Sequence, residues 1–413
     1  MSQTKFWHLN SILNIIRFIF GLSLVFWIIF YGGKNMSQKE IRNEKFDICI
    51  VGAGLSGAVI AERYAATSNK TILVIEKRNH IGGNCYDYID NETGIRVSKY
   101  GIHIFHTNYE HVWSYVQQFS KWIPFEFKVQ SYVQGKHVPL PVNIDTVNSL
   151  FGLNITTVKQ MDNWLENEQV HFDHAPSNSE EVALSRVGRK LYELIFKPYT
   201  IKQWNKSPAE LDPSVLARIP VRHDWENRYF TDAHQALPAN GYTYIFQTML
   251  HSKNIKVKLN TDFFAVKHFL QCGKTYFTGP IDAYYSDFGL KPLEYRSLMF
   301  KRVVIKNIDH HQPTSMVTHP SIITNYTRII EYKWLPNQLY KSNDTVLLIE
   351  KSSDHGEPYY PIPNDDNKIL YKKYQALARK EHNVYFVGRL ANYKYFNMDE
   401  AIKNALYFFN RTR

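Results

Sequence analysis

The residues GAGLSG at 52–57 set three glycines, Gly52, Gly54 and Gly57, between a short apolar, β-rich run (46–51) and a stretch in which Ala58, Ile60, Ala61 and Tyr64 recur as on a helix with small residues facing a sheet. Glycines so placed allow a tight turn, let backbone approach a pyrophosphate, and let helix and strand pack closely. The helix N-terminus then faces negative charge. TILVIEK (71–77) follows as a buried strand carrying Glu76, nineteen residues after Gly57, where a carboxylate accepts hydrogen bonds from an adenosine ribose. Six residues further on lies a second glycine pair, Gly82 and Gly83, followed by Asn84. An NAD enzyme has no use for that pair, whereas a flavoprotein brings it close to the flavin's pyrophosphate. VYFVGRLANYKYFNMDEAIKNAL (384–406) reads as a strand, Gly388-Arg389, a loop, and a helix from about Met398, a unit that closes over ribityl and pyrophosphate. Two distant segments thus converge on one ligand, and the ligand is FAD.

The elements that must position this cradle are interleaved along the chain. The expected class is α/β: a Rossmann-like FAD-binding domain (46–125, 226–260 and 375–413) interleaved with a helical lid domain (145–225) and an antiparallel β-sheet domain (126–144 and 261–374). In the helical block, Ser177 and Glu180 read as a capping box ahead of Ala183, Leu184, Val187, Leu191, Leu194 and Ile195. Asp212-Pro213 opens a further helix. RVVIKNI, SIITNYTRIIEYKW and TVLLIEK read as strands without intervening helices, and NGYTYIFQTML (240–250) as a return to the cofactor domain.

Composition bounds the partners. The 413 residues carry 49 Lys and Arg against 38 Asp and Glu, a charge of +11, with no basic helix or aromatic RNA-binding signature. That favours polyphosphate ligands over nucleic acid. Cys49, Cys85 and Cys272 are far apart and in no metal spacing, which points to buried thiols in a reducing compartment. Residues 1–45 form a leader whose run 12–31 is apolar enough for a transmembrane anchor, interrupted by Asn14 and Arg17. Lys34, Lys39, Arg42 and Lys45 follow it while only Lys5 precedes it, placing the catalytic part in the cytoplasm. A cleaved signal peptide, or translation from Met36 to give a soluble enzyme, are the alternatives.

Nine segments in order give the chain a family likeness from residue 46 onward: the cradle, YGIHIFHT (100–107), GKHVPLPVN (135–143), KPYTIKQW (197–204), LARIPVR (216–222), YFTGPID (276–282), YTRIIEYK (326–333), YYPIPN (359–364) and the terminal segment. In these the chain resembles the UDP-galactopyranose mutases, flavoenzymes that interconvert UDP-galactopyranose and UDP-galactofuranose. The resemblance implies a reduced FAD whose N5 attacks the anomeric carbon, a flavin–sugar adduct, ring opening and reclosure, and return of UDP. It also implies an electron donor such as NAD(P)H and a homodimer. Arg218 and Arg328 match the arginines that grip the diphosphate, a task suited to a forked, always-charged guanidinium. Tyr229, Tyr360 and Tyr395 match phenols around the phosphates and the sugar, and Tyr199 and Trp204 the segment that stacks on uracil and closes over it. His103 matches the residue against the isoalloxazine, and Arg389, Tyr395, Asn397 and Met398 belong to the flavin's closing segment. A metal role for His103 and His106 lacks further ligands. The chain departs from the family in carrying Phe127-Lys128 where an asparagine pair is usual, and Asn397 for an aspartate. An amine-oxidase-like redox enzyme, a mutase of a related nucleotide sugar, and a silent nucleotide-sugar binder are the rival readings.

Overall fold

The computed structural model describes residues 44–413. The run 12–31 therefore lies outside the described residues, among which no helix is long and apolar enough to cross a membrane.

Strand Lys45–Val51 leads through the glycine turn into helix Leu55–Thr67, whose Ala58, Val59, Ile60 and Ala61 are fully buried. Small side chains there let the helix lie close on its sheet. That sheet has five strands, ordered Ile255–Lys258, Ile72–Ile75, Lys45–Val51, Gln271–Phe277 and Val384–Phe386. Its parallel pairs include Ile48 opposite Ile72, Ile255 opposite Ile72, and Tyr276 opposite Tyr385. Ile72–Ile75 is buried at all four positions, as a strand covered on both faces must be. Gln271–Phe277, grouped from the sequence with the antiparallel sheet, belongs here instead.

That placement corrects the cysteine reading as well. Cys49 and Cys272 sit on neighbouring strands with Cα atoms 5.8 Å apart and are disulfide-bonded, while Cys85 is a buried free thiol. Their separation of 223 residues hides the pairing from any spacing argument.

A second, largely antiparallel sheet has seven strands: Tyr360–Pro361, Tyr295–Ile305, Thr345–Ser353, Arg328–Glu331, Met316–Thr318, Val129–Val133 and Lys136–Leu140. SIITNYTRIIEYKW contributes only Arg328–Glu331 to it; the β-branched residues before Arg328 form a loop with Ile322 and Ile323 exposed. The stretch assigned to strands also contains helix Asp365–Ala378, capped by Asn364 accepting from the Asn367 amide.

The helical block packs on the Val129–Leu140 end of this sheet through a core that includes Val138, Val147, Leu165, Val187 and Phe196. Its capping residue is Asn178, which accepts from the Glu181 amide, one position later than the sequence suggested; Ser177 instead donates to Glu181 Oε2. The helix Ser179–Leu191 is broken at Gly188, whose φ of +71° is left-handed and whose absent Cβ would lie 2.1 Å from the Glu168 carbonyl oxygen. After it the chain runs through a wide turn, Tyr192–Phe196, into helix Lys197–Trp204. Of the described residues, Glu44–Lys45 and 264–271 group as a small separate unit containing most of the short helix Phe263–Val266.

Candidate active site

The cradle closes as the glycines require. Gly52 has φ +104°, and a Cβ on Gly57 would lie 1.9 Å from the Gly52 carbonyl oxygen. Gly83 approaches the first loop so closely that its Cβ would lie 2.9 Å from Gly54 Cα, which shows how the two glycine segments form one surface. Gly54 caps the helix without a side-chain hydrogen bond, and no acidic residue occupies the first turn, leaving amide hydrogens available to phosphate. Gly388, at φ +95°, packs against Ser56 from the far end of the chain. Backbone approach from three segments is what a dinucleotide pyrophosphate needs, so the residues present fit a flavin dinucleotide. Glu76 is buried, and its carboxylate accepts from the Ala53 and Arg78 amides, 2.9 Å each. It thus braces the glycine turn and keeps lone pairs for a ribose. Asn84 accepts from Arg78 at 3.0 Å.

Beside the cradle lies a cavity of about 450 Å³. Lining it are His103, Tyr199, Trp204, Arg218, Tyr229, Arg328, Tyr360, Arg389, Tyr395, Asn397 and Met398, every pocket residue named from the sequence. Three elements supply most of them. Tyr199, Thr200, Gln203 and Trp204 form one face of helix Lys197–Trp204. Arg328 starts its strand, and Arg389 to Met398 span the loop before helix Met398–Thr412.

The guanidinium of Arg218 lies 4.2 Å from the Tyr395 ring, and that of Arg389 5.1 Å from the same ring. Tyr360 and Tyr395 stack with centroids 5.6 Å apart. Burial works to raise the Tyr395 phenol, but Arg218, Arg389 and Arg328 outweigh it and hold the phenol below its ordinary value. Burial, helped by the Glu350 carboxylate and opposed by Arg328, sends Tyr199 well upward, so it stays a neutral phenol. Arg328 forms an ion pair with Glu350 at 2.7 Å, and Glu350 is 0% exposed. Arg328 Nε and Gln203 Oε1 are buried with no hydrogen-bond partner. Unmatched polar atoms facing a cavity are what a polar ligand satisfies.

His103 lies at the cavity edge with Nδ1 3.0 Å from the Gly101 carbonyl oxygen, so Nδ1 donates and Nε2 is free. His106 takes a separate partner, the Asp232 carboxylate at 3.0 Å, and stacks on Phe230. Burial pushes His103 down to about 4, assisted by the charges of Arg389 and Arg328. The unfolded chain then binds a proton that the folded one refuses, so stability falls as pH drops from the ordinary histidine value towards 4. Replacing His103 with Gln is expected to flatten that acid slope, each pKa unit being worth about 1.4 kcal/mol. Thermal unfolding of both proteins between pH 7 and pH 4 checks this; parallel curves would show that His103 does not carry the slope.

Sequence reasoning missed several pocket residues. Glu350, which pairs with the pocket's Arg328 from outside the lining, sits within TVLLIEK, where only its burial, invisible in the sequence, marks it as that partner. Gln203 and Thr200 carried a signal, since both lie on the helical face of Tyr199 and Trp204. Phe127, noted as a departure, is 3% exposed, and with Phe230 and Met316 it forms an apolar stretch of the lining.

Comparison with known proteins supplies relatives. A family model described as UDP-galactopyranose mutase matches residues 194–395, and one for an NAD(P)-binding Rossmann-like domain matches 50–119. A probable UDP-galactopyranose mutase of Klebsiella pneumoniae is 38% identical over 87% of this chain and 93% of its own. A dTDP-fucopyranose mutase of Escherichia coli is 35% identical over 87% of this chain and 96% of its own. A crystal structure of reduced UDP-galactopyranose mutase shares the fold, with TM-score 0.68 at 16% identity over 89% of this chain and 95% of that one.

Proposed function

The chain belongs to the UDP-galactopyranose mutase family, and from that membership we propose that it interconverts UDP-galactopyranose and UDP-galactofuranose using reduced FAD. The observation that carries the reading is the convergence of Arg218, Arg328 and Arg389 on one phenol-lined cavity beside a glycine cradle. Reduced FAD held by this cradle would supply a nucleophilic nitrogen for the anomeric carbon of the sugar.

The protein's own groups do the rest. Gly52, Gly54, Gly57, Gly82, Gly83 and Gly388 hold the dinucleotide by backbone. Arg218 and Arg328 hold the diphosphate as it leaves and keep it for its return, charge against charge in a site of low dielectric. Tyr395, acidified by the surrounding guanidiniums, donates a strong hydrogen bond towards that diphosphate. Tyr199 and Trp204 close on the base, and the tyrosines keep bulk water from the sugar while it is unattached. The reading includes an external electron donor such as NAD(P)H and a homodimer.

The test uses the full chain, reduced with dithionite and given UDP-galactofuranose. Chromatography is expected to show UDP-galactopyranose accumulating, with little turnover when the flavin is oxidised. Hydrogen peroxide released without prior reduction would support an amine-oxidase-like enzyme, and UDP binding without isomerisation a silent binder.

The apolar stretch at Phe127, Phe230 and Met316 favours a second reading, a nucleoside diphosphate 6-deoxyhexose. A methyl group packs there at no cost, whereas an unpaired hydroxyl costs roughly 1–3 kcal/mol. The nearby Asp232 carboxylate already accepts from His106 and Asn108. Running dTDP-fucofuranose beside UDP-galactofuranose decides between the two.

A further inference from the structure

We propose that Lys202 is a positioning residue that fastens the substrate-gripping helix Lys197–Trp204 to the strand bearing Arg328. It rests on the reading above, that this pocket holds a nucleoside diphosphate sugar.

Lys202 lies one residue before Gln203 and points away from the face formed by Tyr199, Thr200, Gln203 and Trp204; it is absent from the cavity lining. Its Nζ reaches the backbone carbonyls of Ser321 (2.8 Å), Thr324 (3.2 Å), Tyr326 (2.8 Å) and His319, together with Thr324 Oγ1 (3.2 Å). Among the described residues no carboxylate takes part. An ammonium has three hydrogens to give, so five oxygens share them around one charge. Hydrogen bonds from a charged donor are roughly twice as strong as neutral ones. Burial pushes the Lys202 ammonium down to about 8, so it remains charged at neutral pH.

The loop so gathered connects strand Met316–Thr318 to strand Arg328–Glu331, where Thr318 pairs with Arg328. Burial of apolar side chains does little to hold it, because Ile322 is 75% exposed and Ile323 93%. The loop closes with the His319 amide donating to the Thr327 carbonyl, 2.8 Å, and Thr327 donating in turn to the Glu350 carbonyl. Arg328 and its counter-ion Glu350 therefore begin where the Lys202 clasp ends. Arg296, on strand Tyr295–Ile305, donates to the adjacent Gln203 carbonyl at 2.9 Å and so ties the same end of the helix to a different strand. Lys202 is thus the tie between the base-stacking residues and the diphosphate arginine, and it fixes their separation without touching substrate.

The test measures steady-state turnover of UDP-galactofuranose and UDP affinity for the reduced full-length flavoprotein and for Lys202→Met and Lys202→Arg. Lys202→Met is expected to raise KM and the UDP Kd about tenfold, with kcat within about threefold, and Lys202→Arg to recover most of the loss. Unchanged KM in Lys202→Met, or equal damage in both variants, would overturn the proposal. Amide hydrogen exchange on the unmutated protein avoids any folding defect. Adding UDP is expected to slow exchange in residues 319–326 together with those of 197–204, and slowing in 197–204 alone would also overturn it. If the unmutated protein neither binds UDP nor turns over, the fault lies with the functional reading and not with Lys202.

Discussion

Arg328→Ala is expected to lower turnover by a thousandfold or more while the purified protein keeps its flavin colour. Removing a single donor from a preorganised electrostatic site costs about 2.7–4 kcal/mol, a hundred- to thousandfold in rate. Arg328 stands at or beyond the upper end, because its charge is balanced by one carboxylate, Glu350, and it faces the same cavity as Arg218. The cradle glycines lie in other segments of the chain, which is why colour should persist. Alanine also strands Glu350 without a cation, and breaking a buried pair costs roughly 3–5 kcal/mol. The double change Arg328→Ala with Glu350→Gln separates the effects: it should regain thermal stability but not activity. Arg328→Lys keeps the charge and loses the fork, so its activity should fall between. Near-normal turnover in Arg328→Ala would mean that the diphosphate is held elsewhere.

The second large effect is expected at Gly57. In Gly57→Ala the new methyl would meet the Gly52 carbonyl oxygen at 1.9 Å and Ile50 Cγ2 at 3.1 Å, and the first of these is backbone that a rotamer change does not relieve. Helix Leu55–Thr67 must then move off strand Lys45–Val51, and the first-turn amides leave the position from which they would hold phosphate. The protein should be purified colourless, with flavin absorbance reduced at least tenfold relative to protein. Added FAD should raise the unfolding temperature of the normal apoprotein but not of the variant. A fully yellow Gly57→Ala protein would show that the glycine contact is not needed to hold flavin.

These two positions were not equally legible. Gly57 announces itself because strand, glycines, helix and acid all fall within one local stretch, each with its own spacing rule. Arg328 is found only through its motif; an arginine at the start of a strand is otherwise most often a surface solvator. Its partner Glu350 was hidden because alternation along Thr345–Ser353 does not reveal that both faces of the strand are covered at that point. Residues 321–327 misled for the opposite reason. Ile322, Ile323 and Thr324 have high strand propensity, but the clasp formed by Lys202 decides their conformation, and propensity yields to tertiary context. The capping error by one residue reflects two adjacent residues, Ser177 and Asn178, that are both good caps. Gln271–Phe277 was misassigned because one strand inserted between others distant in sequence leaves no local mark of which sheet it joins.

The strand order of the five-stranded sheet also bears on when this protein can acquire its coenzyme. Its edge strand Val384–Phe386 and the residues at Gly388 that press on Ser56 lie more than three hundred positions after the turn they press on. During synthesis domains generally fold as units from the N-terminal side. Here the turn at 52–57 is made long before the segment at 384–388 that closes over it. The cradle is therefore complete only once the segment at 384–388 is in place, and a chain truncated before residue 384 is expected to bind flavin poorly, however intact its opening motif.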